Sequence, residues 1–149
     1  MRIKTFCLIV FLSGLIIMLL GFNLIKKTEY EIHGKAFSIR SIQDSEYKYD
    51  MEEIPISGAR ILAKKGKVLA YPSKVFIPIN EISSPKTFSI TNDQGVFKFK
   101  LSQGEYTFFI IIEDQAYLNS FDGKGYFLSK IIRSNRNDIV IIDKRGVLY

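Results

Sequence analysis

The chain has 149 residues, 47% of them hydrophobic and 13% aromatic, which is enough apolar material for one folded core and excludes global disorder. Its formal net charge is +6, and four of the basic residues lie within the first 27 positions, where there is no acidic residue. The rest of the chain is nearly balanced, with 17 basic and 15 acidic residues. It therefore lacks the basic excess of a nucleic-acid-binding domain, and no nucleic-acid partner is predicted.

The first predicted element is an uncharged run of 21 residues, positions 5–25. At about 1.5 Å per residue, a helix of this length spans roughly 30 Å, the thickness of the hydrocarbon core of a bilayer. The single cysteine, Cys7, lies in this run and is interpreted as a small apolar residue, because no apolar stretch of a lipoprotein signal precedes it. The run predicts one transmembrane helix. The alternative is a cleaved signal peptide, but the first alanine of the chain is Ala36 and the small residues of a cleavage site are missing.

This segment sets the predicted domain division and localisation. Residues 1–27 form the membrane anchor or signal peptide, residues 28–149 form one folded domain, and the lipid bilayer is the expected partner of residues 5–25. Basic residues flank both ends of the run, so the positive-inside rule gives no orientation. A very short N-terminal tail before a folded domain favours a signal-anchor. The expected localisation is a single-pass membrane protein with an extracytoplasmic C-terminal domain.

Beyond Lys27 the pattern is all-β. Short runs in which apolar and polar residues alternate are separated by Gly, Pro, Asn, Asp and Ser, which is typical of a sandwich or barrel. The predicted strands are Tyr30–Ile42, Ala59–Lys65, Lys67–Tyr71, Thr87–Thr91, Val96–Leu101, Tyr106–Glu113, Tyr126–Arg133 and Ile139–Asp143.

Two irregular stretches are predicted between these strands. The segment between residues 41 and 53 is polar and acid-rich, and its carboxylates lack the spacing of a calcium loop, so a solvated loop is predicted. Tyr47 and Tyr49 lie in it, and amphipathic rings in loops often mark an interface. Three prolines punctuate residues 72–85, because proline cannot donate a hydrogen bond to a central ladder.

The strongest signal is a pair of strands with a turn before each. Asn92–Gly95 has turn chemistry, and Phe97 to Leu101 then alternates apolar residues with lysines. A second turn, Ser102–Gly104, is predicted to reverse the chain into a hairpin. The predicted core positions are Phe97, Phe99, Leu101, Tyr106, Phe108 and Ile110.

The return strand of this pair is apolar on both faces, since Phe109 and Ile111 alternate with its core positions. Two large apolar side chains on the second face require a cover. The expected cover is the proline-broken stretch 75–79, packed as a loop. Otherwise these two side chains form an interface with another protein or another copy.

These segments resemble a known family. "EIHGKAFSI", "IPISGARILAKK" and "TNDQGVFKFKLSQGEYTFFI" resemble the carboxypeptidase regulatory-like domains of the transthyretin-like (prealbumin-like) β-sandwich superfamily. That family has a Gly in the first strand, a Pro-φ-x-Gly-Ala step, a Thr-Asp-x-x-Gly-x-Phe motif and a Gly-x-Tyr turn. The chain departs from it by placing Asn92 after Thr91 and by inserting residues 66–86. The matching residues are Gly34, Pro55, Gly58, Ala59, Thr91, Gly95, Phe97, Gly104 and Tyr106.

The resemblance covers about residues 30–112. It implies an all-β fold, a seven-stranded Greek-key sandwich of the prealbumin-like type, here preceded by one N-terminal transmembrane helix. It also implies an accessory or adhesive module of bacterial envelope proteins.

The sequence carries no pattern of catalytic or ligand-binding residues. His33 is the only histidine, has no metal-ligand partner at motif spacing, and alternates with Glu31 and Lys35 as a surface residue would. The His-x-x-Glu zinc motif of the peptidases that carry the resembled domain is absent. The hydroxyisourate hydrolases of the same superfamily use several histidines and a C-terminal Tyr-Arg-Gly-Ser, whereas this chain ends "DKRGVLY". No catalytic, cofactor-binding or metal-binding residue is predicted, and no enzyme activity.

The sequence therefore predicts a membrane-anchored, non-catalytic β-sandwich module for binding or scaffolding at the bacterial cell envelope, with a protein or glycan partner. The first alternative is a subunit of an envelope assembly that pairs through its apolar strand face. A transthyretin-like hydrolase is the second alternative. The residues of the possible interface are Phe109, Ile111, Tyr47 and Tyr49.

Overall fold

A computed structural model describes residues 28–43, 49–70 and 75–144. They form ten strands in two sheets, one of four strands and one of six, and a single 3-10 turn at Ile79–Glu81. The strands are β1 (Glu29–Gln43), β2 (Tyr49–Pro55), β3 (Arg60–Lys65), β4 (Phe76–Pro78), β5 (Lys86–Ile90), β6 (Val96–Ser102), β7 (Gly104–Ile112), β8 (Gln115–Tyr117), β9 (Ser129–Ile132) and β10 (Arg136–Asp143).

The first sheet is built around the long strand β1. The strand β10 runs parallel to it along one edge, and the antiparallel strands β6 and β2 follow one another along the other edge. Gly34 lies where β1 passes the ring of Phe97, and a Cβ at this position would overlap that ring and the carbonyl oxygen of Ile139. The predicted glycine of the first strand is therefore required by close packing.

The second sheet is built around β7. The strand β3 pairs with one edge of β7 and carries β5 on its far side. The other edge of β7 pairs with β9 near its beginning and with β8 near its end, and β8 carries β4.

The two sheets pack face to face around a common core, so the fold is a β-sandwich. Alternation on β6 sends Phe97, Phe99 and Leu101 inward, and every second residue of β7 meets them. Phe99 and Phe108 pack across the sheets with ring centroids 5.9 Å apart. The six predicted core positions are all buried in this cluster.

A second apolar cluster lies on the other side of the six-stranded sheet. Phe109 of β7 and Leu62 of β3 point to this outer face and are fully buried. They are covered by the chain segments 66–70, 79–85 and 118–128, which we call the cover layer. Phe127 of this layer meets Phe109 edge to face, with ring centroids 5.2 Å apart. The remaining buried members are Ala70, Ile77, Ile82, Ala116 and Leu118.

A hydrogen-bonded clasp joins the ends of the two sheets and uses the residues on which the family resemblance rests. The buried hydroxyl of Thr91 donates to the carbonyl of Ile56 at 2.6 Å and accepts from the amide of Ala59 at 2.8 Å. Gly95 donates to the carbonyl of Asn92, closing the predicted turn. A Cβ on Gly95 would overlap the carbonyl oxygen of Ala36, which explains the glycine.

The predicted fold class, a seven-stranded sandwich preceded by a transmembrane helix, is wrong. The sandwich has ten strands, and within residues 28–43, 49–70 and 75–144 no helix is long and apolar enough to cross a membrane. The predicted localisation as a single-pass membrane protein is corrected on the same finding. The predicted segment 5–25 lies outside the described residues, and the domain division at residue 27 stays a prediction.

Four local predictions are also corrected. The strands β6 and β7 lie in different sheets, so the turn at residues 102–104 is a corner between sheets and not a hairpin turn. Part of the predicted acid-rich loop is β2, an edge strand on which exposed carboxylates face solvent. Residues 67–70 of the predicted strand Lys67–Tyr71 make one isolated bridge, at Leu69, and Tyr71 lies outside the described residues. The stretch 75–79 contains the short strand β4 and extends the sheet instead of lying over it as a loop.

Candidate functional site

A groove of about 450 Å³ opens between the six-stranded sheet and the cover layer. Its walls mix apolar side chains with charged ones, as ligand-binding concavities commonly do. We call it the outer groove. Its lining residues are Lys64, Lys67, Val68, Leu69, Ile77, Glu81, Ile82 and Ser83.

The floor of the outer groove is set by the alternation of β3. Leu62 and Lys64 point to the outer face, whereas Ile61 and Ala63 point into the core between the sheets. The register places Lys64 directly opposite Lys86 on β5. A lysine thus occupies a position at which the same face of the sheet otherwise carries buried apolar residues.

The Lys64 side chain is buried, with only 8% of the residue exposed. Its ammonium donates a hydrogen bond to the backbone carbonyl of Lys65 at 2.8 Å. The ammonium of Lys86 similarly donates to the carbonyl of Ile79 at 2.9 Å. Both ammonium groups are thus held by backbone carbonyls, Lys64 at the floor of the groove and Lys86 beside it on β5.

Lys67 and Leu69 line the groove, and both contact the adjacent turn 121–126, which we call the rim. Lys67 forms an ion pair with Asp122 at 3.2 Å, and its ammonium lies 5.5 Å from the ring centre of Tyr126. Leu69 and Tyr126 are bridge partners, and both remain exposed to solvent. A half-exposed ring therefore stands next to a pair of hydrogen-bonding groups.

Asp122 organises this rim. Its carboxylate accepts the backbone amides of Lys124 and Tyr126, at 2.7 and 3.2 Å, as well as the ammonium of Lys67. The amide of Lys124 is the largest influence that lowers the pKa of Asp122 below its ordinary value, with further lowering by Tyr126 and Lys67 against an opposing desolvation. The ionised carboxylate thereby fixes the turn that presents the ring of Tyr126.

The residues of the predicted interface are not brought together. Phe109 is fully buried under the cover layer, and Ile111 is half-buried beside the same cluster. Tyr49 begins β2, in the other sheet, and Tyr47 lies outside the described residues. An interface through Phe109 would require the cover layer to move away, and the predicted interface remains a prediction.

Two further pairs of titratable groups lie outside the lining of the outer groove. His33 contacts Glu31 at 3.0 Å on the exposed side of β1. Arg136 and Asp138 form an ion pair that raises the pKa of the guanidinium and lowers the pKa of the carboxyl. Within the described part of the chain, no group of three or more His, Cys, Asp or Glu residues is arranged to hold a metal ion.

Sequence reasoning missed the outer groove because its residues come from β3 and from two irregular segments far apart in the chain. One signal was available: Lys64 follows Leu62 on a strand that otherwise reads as buried on both sides. Phe121 and Tyr126, the exposed aromatic residues beside Gly123–Gly125, are not among the predicted site residues.

No protein-family model matches the chain, and no curated protein of similar sequence was found. Among solved structures, the chain is similar to a candidate carbohydrate-binding protein from Pseudomonas aeruginosa, at 13% sequence identity. The similarity covers 82% of this chain and 94% of that chain, with a TM-score of 0.43. So distant a likeness carries no argument about ligand or function.

Proposed function

We propose that the chain is a non-catalytic binding module of the carboxypeptidase regulatory-like type, and that it holds a glycan in the outer groove. We infer the class of ligand from the rim, where the exposed ring of Tyr126 lies beside the Lys67–Asp122 ion pair. A sugar ring presents apolar C–H faces and hydroxyl groups that both donate and accept hydrogen bonds. An exposed aromatic face with adjacent charged donors and acceptors suits both features.

The family assignment is supported by the positions of the resembling residues. Gly34 sits under an aromatic ring, and Thr91 and Gly95 form the clasp between the sheets. Members of one family would share these structural roles even if they bound different ligands. The roles therefore support a common architecture, and ligand specificity is assigned to the groove.

A non-catalytic role is supported by the chemistry of the groove. Its charged lining residues are Lys64, which donates to a carbonyl, Lys67, which is paired with Asp122 at the rim, and the exposed Glu81. Catalysis by proton transfer needs an acid and a base poised around one reacting atom. The described groove residues instead provide contact and hydrogen bonding.

Titration calorimetry with purified oligosaccharides tests the proposal. A panel of maltohexaose, chitohexaose and trigalacturonate should contain at least one binder. Tyr126→Ala should weaken its binding by about tenfold, because stacking of a ring is worth roughly 1 kcal/mol or more. Phe37→Ala removes a ring from the outer side of the other sheet and serves as the control, with unchanged affinity. Binding that is unaffected by Tyr126→Ala, or no binding to any of the saccharides, would overturn the proposal.

A further inference from the structure

Two lysines on the outer face of the six-stranded sheet stand directly opposite each other on neighbouring strands. Lys64 of β3 is the cross-strand partner of Lys86 of β5. The Cβ atoms of such a pair are about 4.5–5.5 Å apart, and like charges in this arrangement oppose each other. A pair of like charges without a counter-charge is unfavourable for folding. Its presence on this face of the sheet therefore indicates a functional role.

Neither ammonium is neutralised by the protein. Among the described residues, neither Lys64 nor Lys86 forms an ion pair with a carboxylate, and each donates to one backbone carbonyl only. An ammonium has three donors, so two donors on each remain for other partners. Lys64 is more than nine-tenths buried and lines the groove, and burial of a charge is costly unless it is paired.

The neighbouring acids do not supply the missing partner. Asp122 is engaged by Lys67 and by two backbone amides. Glu81 lies on the groove wall but is exposed to solvent, where it forms no ion pair with a described residue. The floor of the groove therefore keeps the positive charge of Lys64, and Lys86 adds a second positive charge beside it on the sheet.

We propose that Lys64 binds an anionic group of the ligand, a carboxylate or a phosphate, with Lys86 adding positive potential beside it. The inference rests on the proposed function and sharpens it: the glycan held by the outer groove is an acidic saccharide. The ring of Tyr126 contacts the saccharide at the rim, while its acidic group reaches the buried ammonium at the floor. A charged hydrogen bond in a partly dry site is stronger than one between neutral groups.

The test compares the full chain's affinity for trigalacturonate with its affinity for the fully methyl-esterified trisaccharide, by calorimetry at low salt. Methyl esterification removes the negative charge of each carboxyl group and adds one methyl group to it. The acid should bind about tenfold more tightly than the ester, and the difference should shrink as salt is added. In Lys64→Met the acid and the ester should bind alike, whereas Lys98→Met removes the same charge from the other sheet and should preserve the difference.

The outcomes separate this inference from the proposed function. Equal binding of acid and ester to the unmodified chain overturns the anion site and leaves the glycan function standing. If neither saccharide binds, inorganic phosphate and free galacturonate are titrated while the Nζ resonance of Lys64 is followed by NMR. A shift with either anion retains the anion site, and no shift with both anions overturns it. The glycan function is rejected only when maltohexaose and chitohexaose also fail to bind. A response to phosphate but not to galacturonate assigns the acidic group as a phosphate.

Discussion

The two outer faces of this sandwich differ in what they meet. On β1 the outward residues Glu31, His33 and Lys35 face solvent, and they alternate with a buried inner row. On β7 the outward residues Thr107 and Phe109 are buried, because the cover layer lies over them. Polar residues on the second face of a strand thus indicate a sheet face that is open to solvent. Large apolar residues on that face indicate that a third layer covers it.

The difference has a functional consequence. The open face of the four-stranded sheet presents charged residues to solvent. The covered face gains a second apolar cluster and, at the edge of its cover, the outer groove. A layer made of irregular segments cannot close as evenly over a sheet as another sheet does, so a groove remains beside Lys64.

The largest expected effect comes from breaking the covered face. Phe109→Ala should lower the free energy of unfolding by about 3–5 kcal/mol, because it removes a fully buried ring that packs against Phe127. Urea denaturation followed by circular dichroism measures it. Phe121→Ala is the control: that ring belongs to the same layer but is 46% exposed, and its loss should be well below that of Phe109. A decrease in the free energy of unfolding of less than about 1 kcal/mol for Phe109→Ala would mean that packing of the cover layer on this face does not stabilise the fold.

Much of the sandwich follows from the sequence where the local pattern decides the structure. The alternation in β6 and the turn Asn92–Gly95 are local properties, and both are as predicted. Pairing between sheets is not local: the turn at residues 102–104 permits either a hairpin or a corner, and the packing of both strands around the core selects the corner. The edge strand β2 was missed because its charged residues face solvent on a strand that β1 stabilises by pairing.

The outer groove depends even more strongly on contacts between residues that are distant in the sequence. The second apolar face of β7 predicted a cover, and the cover layer is present, but the predicted covering stretch 75–79 contains the strand β4 and belongs to the sheet itself. Lys64 reads in sequence as an ordinary strand lysine, since its burial depends on segments that arrive from elsewhere in the chain. The site could be recognised only after the register placed Lys64 opposite Lys86.

A smaller effect is expected at the clasp that joins the two sheets. Thr91→Val keeps the size of the side chain but leaves the carbonyl of Ile56 and the amide of Ala59 without this hydroxyl. The free energy of unfolding should fall by about 1–3 kcal/mol, the usual cost of unpaired buried polar groups. Thr87→Val, at an exposed position of β5, is the matched control and should change stability by less than about 0.5 kcal/mol. Equal effects of the two substitutions would show that the clasp contributes nothing specific.

The smallest expected effect lies within the cover layer and depends on pH. The pKa of Asp122 in the folded chain is lowered, first by the amide of Lys124, so folding favours the ionised carboxylate. Its stabilising contribution is present above the pKa of an unfolded aspartate, near 4, and is lost as the pH falls through the lower folded value. The melting temperature of Asp122→Asn should therefore lie below that of the unmodified chain at pH 6, and the gap between the two melting temperatures should close as the pH falls below about 4.

His33 and its partner Glu31 belong to the open face, so Glu31→Gln is a control that should leave the turn 121–126 unaffected, as judged by the amide resonance of Tyr126. A gap between the two melting curves that stays constant down to the acid limit would contradict the assignment of Asp122 as the group that orders the rim, because a purely steric effect of the substitution has no reason to follow the titration of a carboxylate.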